Sequence, residues 1–70
     1  MPVGKVKWFC PVKGYGFLEP LEGGRDIFVH ANILRRADIE SLDEGETVEF
    51  EATLNERTGK LAAVSVRVLP

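Results

Sequence analysis

Seventy residues make a single-domain length, and a chain this short buries only about 60% of its unfolded surface, so its stability must come from one small core. Hydrophobic residues at 44% and charged ones at 29% describe an ordinary globular domain and exclude disordered and fibrous classes. One cysteine and one histidine exclude an internal disulfide and a metal-ligand cluster, and the net charge of −2 is unevenly spread. Residues 1–36 carry six basic side chains against three acidic ones, and residues 37–70 carry three against eight. The first half is therefore basic and the second acidic, and a local positive field can steer an anionic ligand to a protein that is acidic as a whole. No run of 18 apolar residues is present, and Met1-Pro2-Val3-Gly4 lacks the basic start of a signal peptide, so the expectation is one domain over 1–70, cytoplasmic, with no membrane partner.

In chain order, Val3 to Cys10 reads as a strand rich in β-formers. Plain alternation sets Trp8 with Val6 on one face and Phe9 with Lys5 and Lys7 on the other, and only a bulge or strong coiling would bring both rings to one surface. Pro11 ends the ladder, and Val12-Lys13 lead into a second strand as a hairpin. In Lys13-Gly14-Tyr15-Gly16-Phe17-Leu18, glycines alternate with rings. Tyr15 and Phe17 then share one face, and Gly14, Gly16 and Leu18 the other. Two glycines beside rings point to a close backbone approach or a barrel corner. The alternative for the rings is ordinary core packing.

Pro20 to Arg25 is a turn, and Asp26-Ile27-Phe28-Val29-His30 is a third strand with Ile27 and Val29 inward, leaving Phe28 and His30 on the outer face with Tyr15 and Phe17. Ala31 to Glu46 loses periodicity; Asn32 is the expected cap of at most one helical turn in a long loop. Thr47 to Thr53 alternates with Val48, Phe50 and Ala52 inward, Asn55 to Gly59 is a hairpin loop, and Leu61 to Leu69 is a last strand with Ala62, Val64, Val66 and Val68 as one apolar row. Five short strands with no substantial helix predict an all-β fold, a small antiparallel barrel.

These residues resemble the bacterial cold-shock proteins. The likeness runs from about Gly4 to Val68 and is carried by Gly4-Lys5-Val6-Lys7-Trp8-Phe9, by Lys13 to Leu18, which is similar to the first ribonucleoprotein motif, and by Asp26 to His30, which is similar to the second; Ser41 to Gly45 also fits. The resemblance implies a five-stranded oligonucleotide/oligosaccharide-binding (OB-fold) barrel that binds single-stranded RNA or DNA across its first three strands. By position, Trp8, Tyr15, Phe17, Phe28 and His30 match the stacking residues, Phe9 adds an edge, and Lys7 and Lys13 match backbone contacts; Lys60 is counted with the cations. Trp8 on the platform requires the first strand to be bulged or coiled.

Three positions depart from the family pattern. Ala31 and Ile39 stand where rings are usual, which predicts weaker binding, with Arg35 and Arg36 able to compensate by stacking or phosphate contact. Cys10 stands where Asn is common, either as a redox-sensitive thiol or as a small passive residue. The function read from all this is a non-catalytic, monomeric RNA-chaperone-like binder with no cofactor, metal or small-molecule substrate. The alternative is a protein-interaction barrel with a weakened platform.

Overall fold

The computed structural model describes residues 2–69. Its strands are β1 (Val3–Cys10), β2 (Tyr15–Pro20), β3 (Ile27–His30), β4 (Thr47–Asn55) and β5 (Lys60–Val68), with one helix, α1 (Ala31–Arg36), between β3 and β4. They close into a barrel in the order β1-β2-β3-β5-β4. Closure leaves few unpaired strand edges, which a sheet this small could not otherwise cover. The pairings are antiparallel except at the β3–β5 junction, which is parallel with Phe28 opposite Ala62. The antiparallel barrel read from the sequence thus carries one parallel seam. The helix-containing segment between β3 and β4 separates that pair from the local hairpins.

Inside lies a wholly apolar core: Val6, Leu18, Ile27, Val29, Val48, Phe50, Ala63 and Val66 from the strands, Leu34 from α1 and Leu42 from the following loop. Leu34 is 1% exposed, and burying a leucine fully contributes about 1.5–3 kcal/mol, which is what holds so short a helix against β3 and β5. Among the described residues no buried side-chain polar atom lacks a partner. At Gly16 the barrel wall is so tight that a Cβ would stand 2.7 Å from the Phe9 Cα, which accounts for a glycine between two rings.

The segment read as a loop with one helical turn is more ordered than that. Helix α1 runs six residues, about one and two-thirds turns, and its cap is His30 rather than Asn32: the Asn32 backbone N–H donates to His30 Nδ1 at 3.1 Å. At the other end the Ile39 N–H donates to the Leu34 carbonyl (2.8 Å) and the Asp38 N–H to the Arg35 carbonyl (3.1 Å), with Asp38 at φ 61°. This is a Schellman closure with an aspartate at the left-handed position, and the half-buried Ile39 packs on the core as that closure requires.

The row Ala62, Val64, Val66, Val68 on β5 is not the buried one. Ala63 and Val66 are buried, while Val64 and Val68 are 42% and 37% exposed. For Val64 the cause is a register shift: Glu51 pairs with Ser65 but the next residue, Ala52, pairs with Ala63, so Val64 is an extra residue that reverses the parity of the strand, whereas Val68 keeps the parity of Val66 and is the last residue of β5.

Candidate nucleic-acid interface

The same device on β1 builds the candidate site. Val6 pairs with Leu18 and Trp8 with Phe17, so Lys7 is bulged out of the ladder. From Trp8 onward, alternation restarts with opposite parity. Trp8 leaves the core side, where plain alternation had set it with Val6, and Phe9 turns inward opposite Gly16 and packs half-buried on the core. The loop before β4 docks where the bulge begins, with the Gly45 N–H donating to the Val6 carbonyl and the Val6 N–H to the Glu46 carbonyl, each at 2.8 Å.

The outer face of β1, β2 and β3 then carries a continuous group of rings. Trp8 lies 5.3 Å from Phe17 and 5.7 Å from Tyr15 between ring centroids. Phe28 lies 5.7 Å from Tyr15, 5.8 Å from Phe17 and 6.5 Å from His30. Direct cross-strand pairing sets this geometry: Trp8 faces Phe17, Phe17 faces Phe28, and Tyr15 faces His30. All the separations fall within the range of ring–ring contact, so the rings hold one another in place. Trp8 is 37% exposed, His30 is exposed, and Tyr15, Phe17 and Phe28 are half-buried. Rings against a wall with faces left open are a surface on which planar groups can stack.

The cations are distributed around this surface. Lys7 Nζ sits 2.8 Å from Asp26 Oδ2, an exposed ion pair joining the β1 bulge to the start of β3. The hydrogen bond to Asp26, with the carboxylate's charge, holds the Lys7 ammonium above the ordinary lysine range. Lys13 is exposed in the β1–β2 turn. Lys60 opens β5 and, with Phe28, Asn55, Thr58, Leu61 and Ala62, lines a cleft of about 240 Å³ that continues the ring face towards the β4–β5 turn. Arg25 bridges to that turn, donating to the Gly59 carbonyl at 3.0 Å. Arg35 and Arg36 are exposed on the last turn of α1, not on a loop; Arg36 lines a different concavity, with Ile33, Ala37 and Val64 to Val66 and no platform ring. Cys10 is half-buried opposite Tyr15 at the end of β1.

Of the residues singled out in the sequence, Trp8, Tyr15, Phe17, Phe28 and His30 are brought together, Lys7, Lys13 and Lys60 lie on the elements that carry them, and Phe9 belongs to the core side. Sequence reasoning missed Asp26, Arg25 and the Asn55–Thr58 side of the cleft. Asp26 alone offered a signal, since it falls on the outer parity of its own strand, in step with Phe28 and His30.

A small closed barrel with a ring-covered three-stranded face defines the OB class of ligand-binding modules. The model of the 'Cold-shock' DNA-binding domain matches residues 3–69, and the chain belongs to that family. It is 46% identical over 66 residues to the cold shock-like protein CspA of Rickettsia bellii, covering 94% of this chain and 91% of that protein. It is 42% identical over 67 residues to the cold shock protein CspA of Rhizobium meliloti (96% and 97% covered) and 47% identical over 64 residues to CspB of Geobacillus stearothermophilus (91% and 96% covered).

Proposed function

We infer that the protein binds single-stranded nucleic acid by stacking unpaired bases on Trp8, Tyr15, Phe17, Phe28 and His30. Lys7, Lys13 and Lys60 follow the phosphates, and Arg35 and Arg36 reach a strand that runs on past His30. The observation that carries this reading is the unbroken chain of ring contacts, 5.3 to 6.5 Å between centroids, across one outer sheet face. Each base stacked on such a ring contributes about 1–3 kcal/mol whatever its identity, so the module holds a short stretch of strand with modest sequence preference. Bases held this way are kept from pairing, which is RNA-chaperone action without an energy source. The protein works as a cytoplasmic monomer and turns over no substrate.

Titration with a hexathymidylate, read by the fluorescence of Trp8, the only tryptophan, tests this. Strong quenching that weakens between low and moderate salt is expected, because phosphate contacts release counterions. Folded protein that shows no quenching at high oligonucleotide concentration would overturn it.

A further inference from the structure

His30 occupies two structures at once: its ring touches Phe28 at the end of the platform, and its Nδ1 takes the Asn32 backbone N–H at 3.1 Å as the cap of α1. A backbone N–H can only donate, so Nδ1 must be the bare, accepting nitrogen. In a neutral imidazole the proton then sits on Nε2. The Ala31 N–H, one residue earlier, goes to the Gly14 carbonyl at 2.9 Å, so the start of α1 is tied to the β1–β2 turn. The side chain is exposed and none of the hydrogen bonds found among the described residues uses Nε2.

We propose that His30 is a hydrogen-bonding contact to the strand and not only a stacking ring: capping α1 fixes it as the Nε2–H tautomer and aims a single hydrogen-bond donor, in the plane of the ring, at an acceptor atom of the bound strand. This rests on the platform being the binding face. An in-plane donor cannot serve the base stacked on the ring's own face. It serves the group beside that base, either a non-bridging phosphate oxygen or the keto oxygen of a neighbouring base, and it disfavours an amino group presented there.

The first test needs no variant. Nitrogen-15 spectra of the imidazole in the free protein at pH 8 should show the Nε2–H tautomer alone, and adding hexathymidylate should slow the exchange of Hε2. A dominant Nδ1–H tautomer, or an even mixture, overturns the proposal even where Trp8 is quenched and the platform reading stands. Trp8 left unquenched, with Hε2 unchanged, removes the platform reading and the proposal with it. Two substitutions then separate the roles. His30→Phe keeps a ring but loses donor and cap, and should bind about fivefold more weakly, the worth of one hydrogen bond. His30→Asn keeps a capping oxygen, so the Asn32 amide stays protected while binding weakens further with the loss of the ring. Binding by His30→Phe equal to that of the parent overturns the donor role. Single methylphosphonate linkages walked along the oligonucleotide identify the acceptor: one linkage whose neutralisation no longer matters in His30→Phe marks a phosphate, and uniform effects mark a base edge.

Discussion

Lys7 donates to Asp26 across 2.8 Å from a bulge in β1 to the residue that leads into β3. The cation beside Trp8 is thus already matched by a carboxylate, whose charge opposes a phosphate drawn to the remaining Lys7 donors. Exposed pairs contribute little to stability, but this one sets a competition at the binding face.

Asp26→Asn should therefore tighten binding of a short single strand about two- to fivefold at low salt, the scale of an exposed ion pair. It should also steepen the dependence of log K on log salt by about 0.7, the increment for one further phosphate on a single strand. Titrations at several salt concentrations check both numbers. Equal affinity and equal slope would show that Asp26 does not compete.

The pair has a signature in stability too. Asp26 raises the Lys7 pKa, so its contribution is whole below the unfolded lysine value of about 10.4 and is lost as pH rises through the folded value. Urea unfolding of the parent and of Asp26→Asn should differ at pH 8, and the difference should shrink as pH rises through the folded Lys7 value.

Ala31 is the first residue of α1, half-buried beside the ring of His30 in sequence, where a ring would extend the platform. Ala31→Phe should tighten binding by about 1–3 kcal/mol, the worth of one stacked base. The midpoint of Trp8 quenching reads the change. No shift, in protein whose α1 amides remain protected, would mean that the strand does not reach past His30.

Asp38 holds φ 61° at the end of α1, a conformation that glycine adopts freely and an L-residue does not, and its carboxylate sits at the negative end of the helix. Asp38→Gly should raise stability by about 0.5–1 kcal/mol, a few degrees in the melting temperature of a domain this size. Thermal unfolding at neutral pH measures it.

Gly16 has the opposite expectation. A Cβ there meets backbone, 2.7 Å from the Phe9 Cα, and backbone cannot move aside as a side-chain tip can. Gly16→Ala should cost about 3 kcal/mol in urea unfolding, and a cost below about 1 kcal/mol would mean that the β1–β2 wall yields.

The platform was legible in the sequence because its rings obey period two: Tyr15 and Phe17 on β2 and Phe28 and His30 on β3 are separated by inward residues that the core demands. Trp8 needed the family resemblance, since the bulge at Lys7 has no local mark and is fixed by pairing with β2. The corresponding bulge at Val64 left no mark either, because in Leu61-Ala62-Ala63-Val64 every residue is apolar and either parity looks buried. Ile39 read as a missing ring; its place on the core belongs to the helix closure, which depends on the unusual backbone of Asp38 more than on any side-chain pattern. His30 reads from the sequence as a stacking ring. That it caps α1 follows from a nitrogen two residues along the chain, which composition and spacing do not display.

The parallel seam at Phe28 and Ala62 divides the barrel into two parts. On one side, the β1–β2–β3 meander carries the five rings and, with its turns, Lys5, Lys7, Lys13 and Arg25. On the other, the β4–β5 hairpin carries no platform ring and balances Arg57, Lys60 and Arg67 against Glu49, Glu51 and Glu56. The two parts meet where β1 pairs with β4 and at this one registered position. Ligand-facing residues can therefore be exchanged on the meander while the hairpin keeps supplying the other wall of the core. In this fold the surface that recognises and the piece that supports can change sequence at different rates.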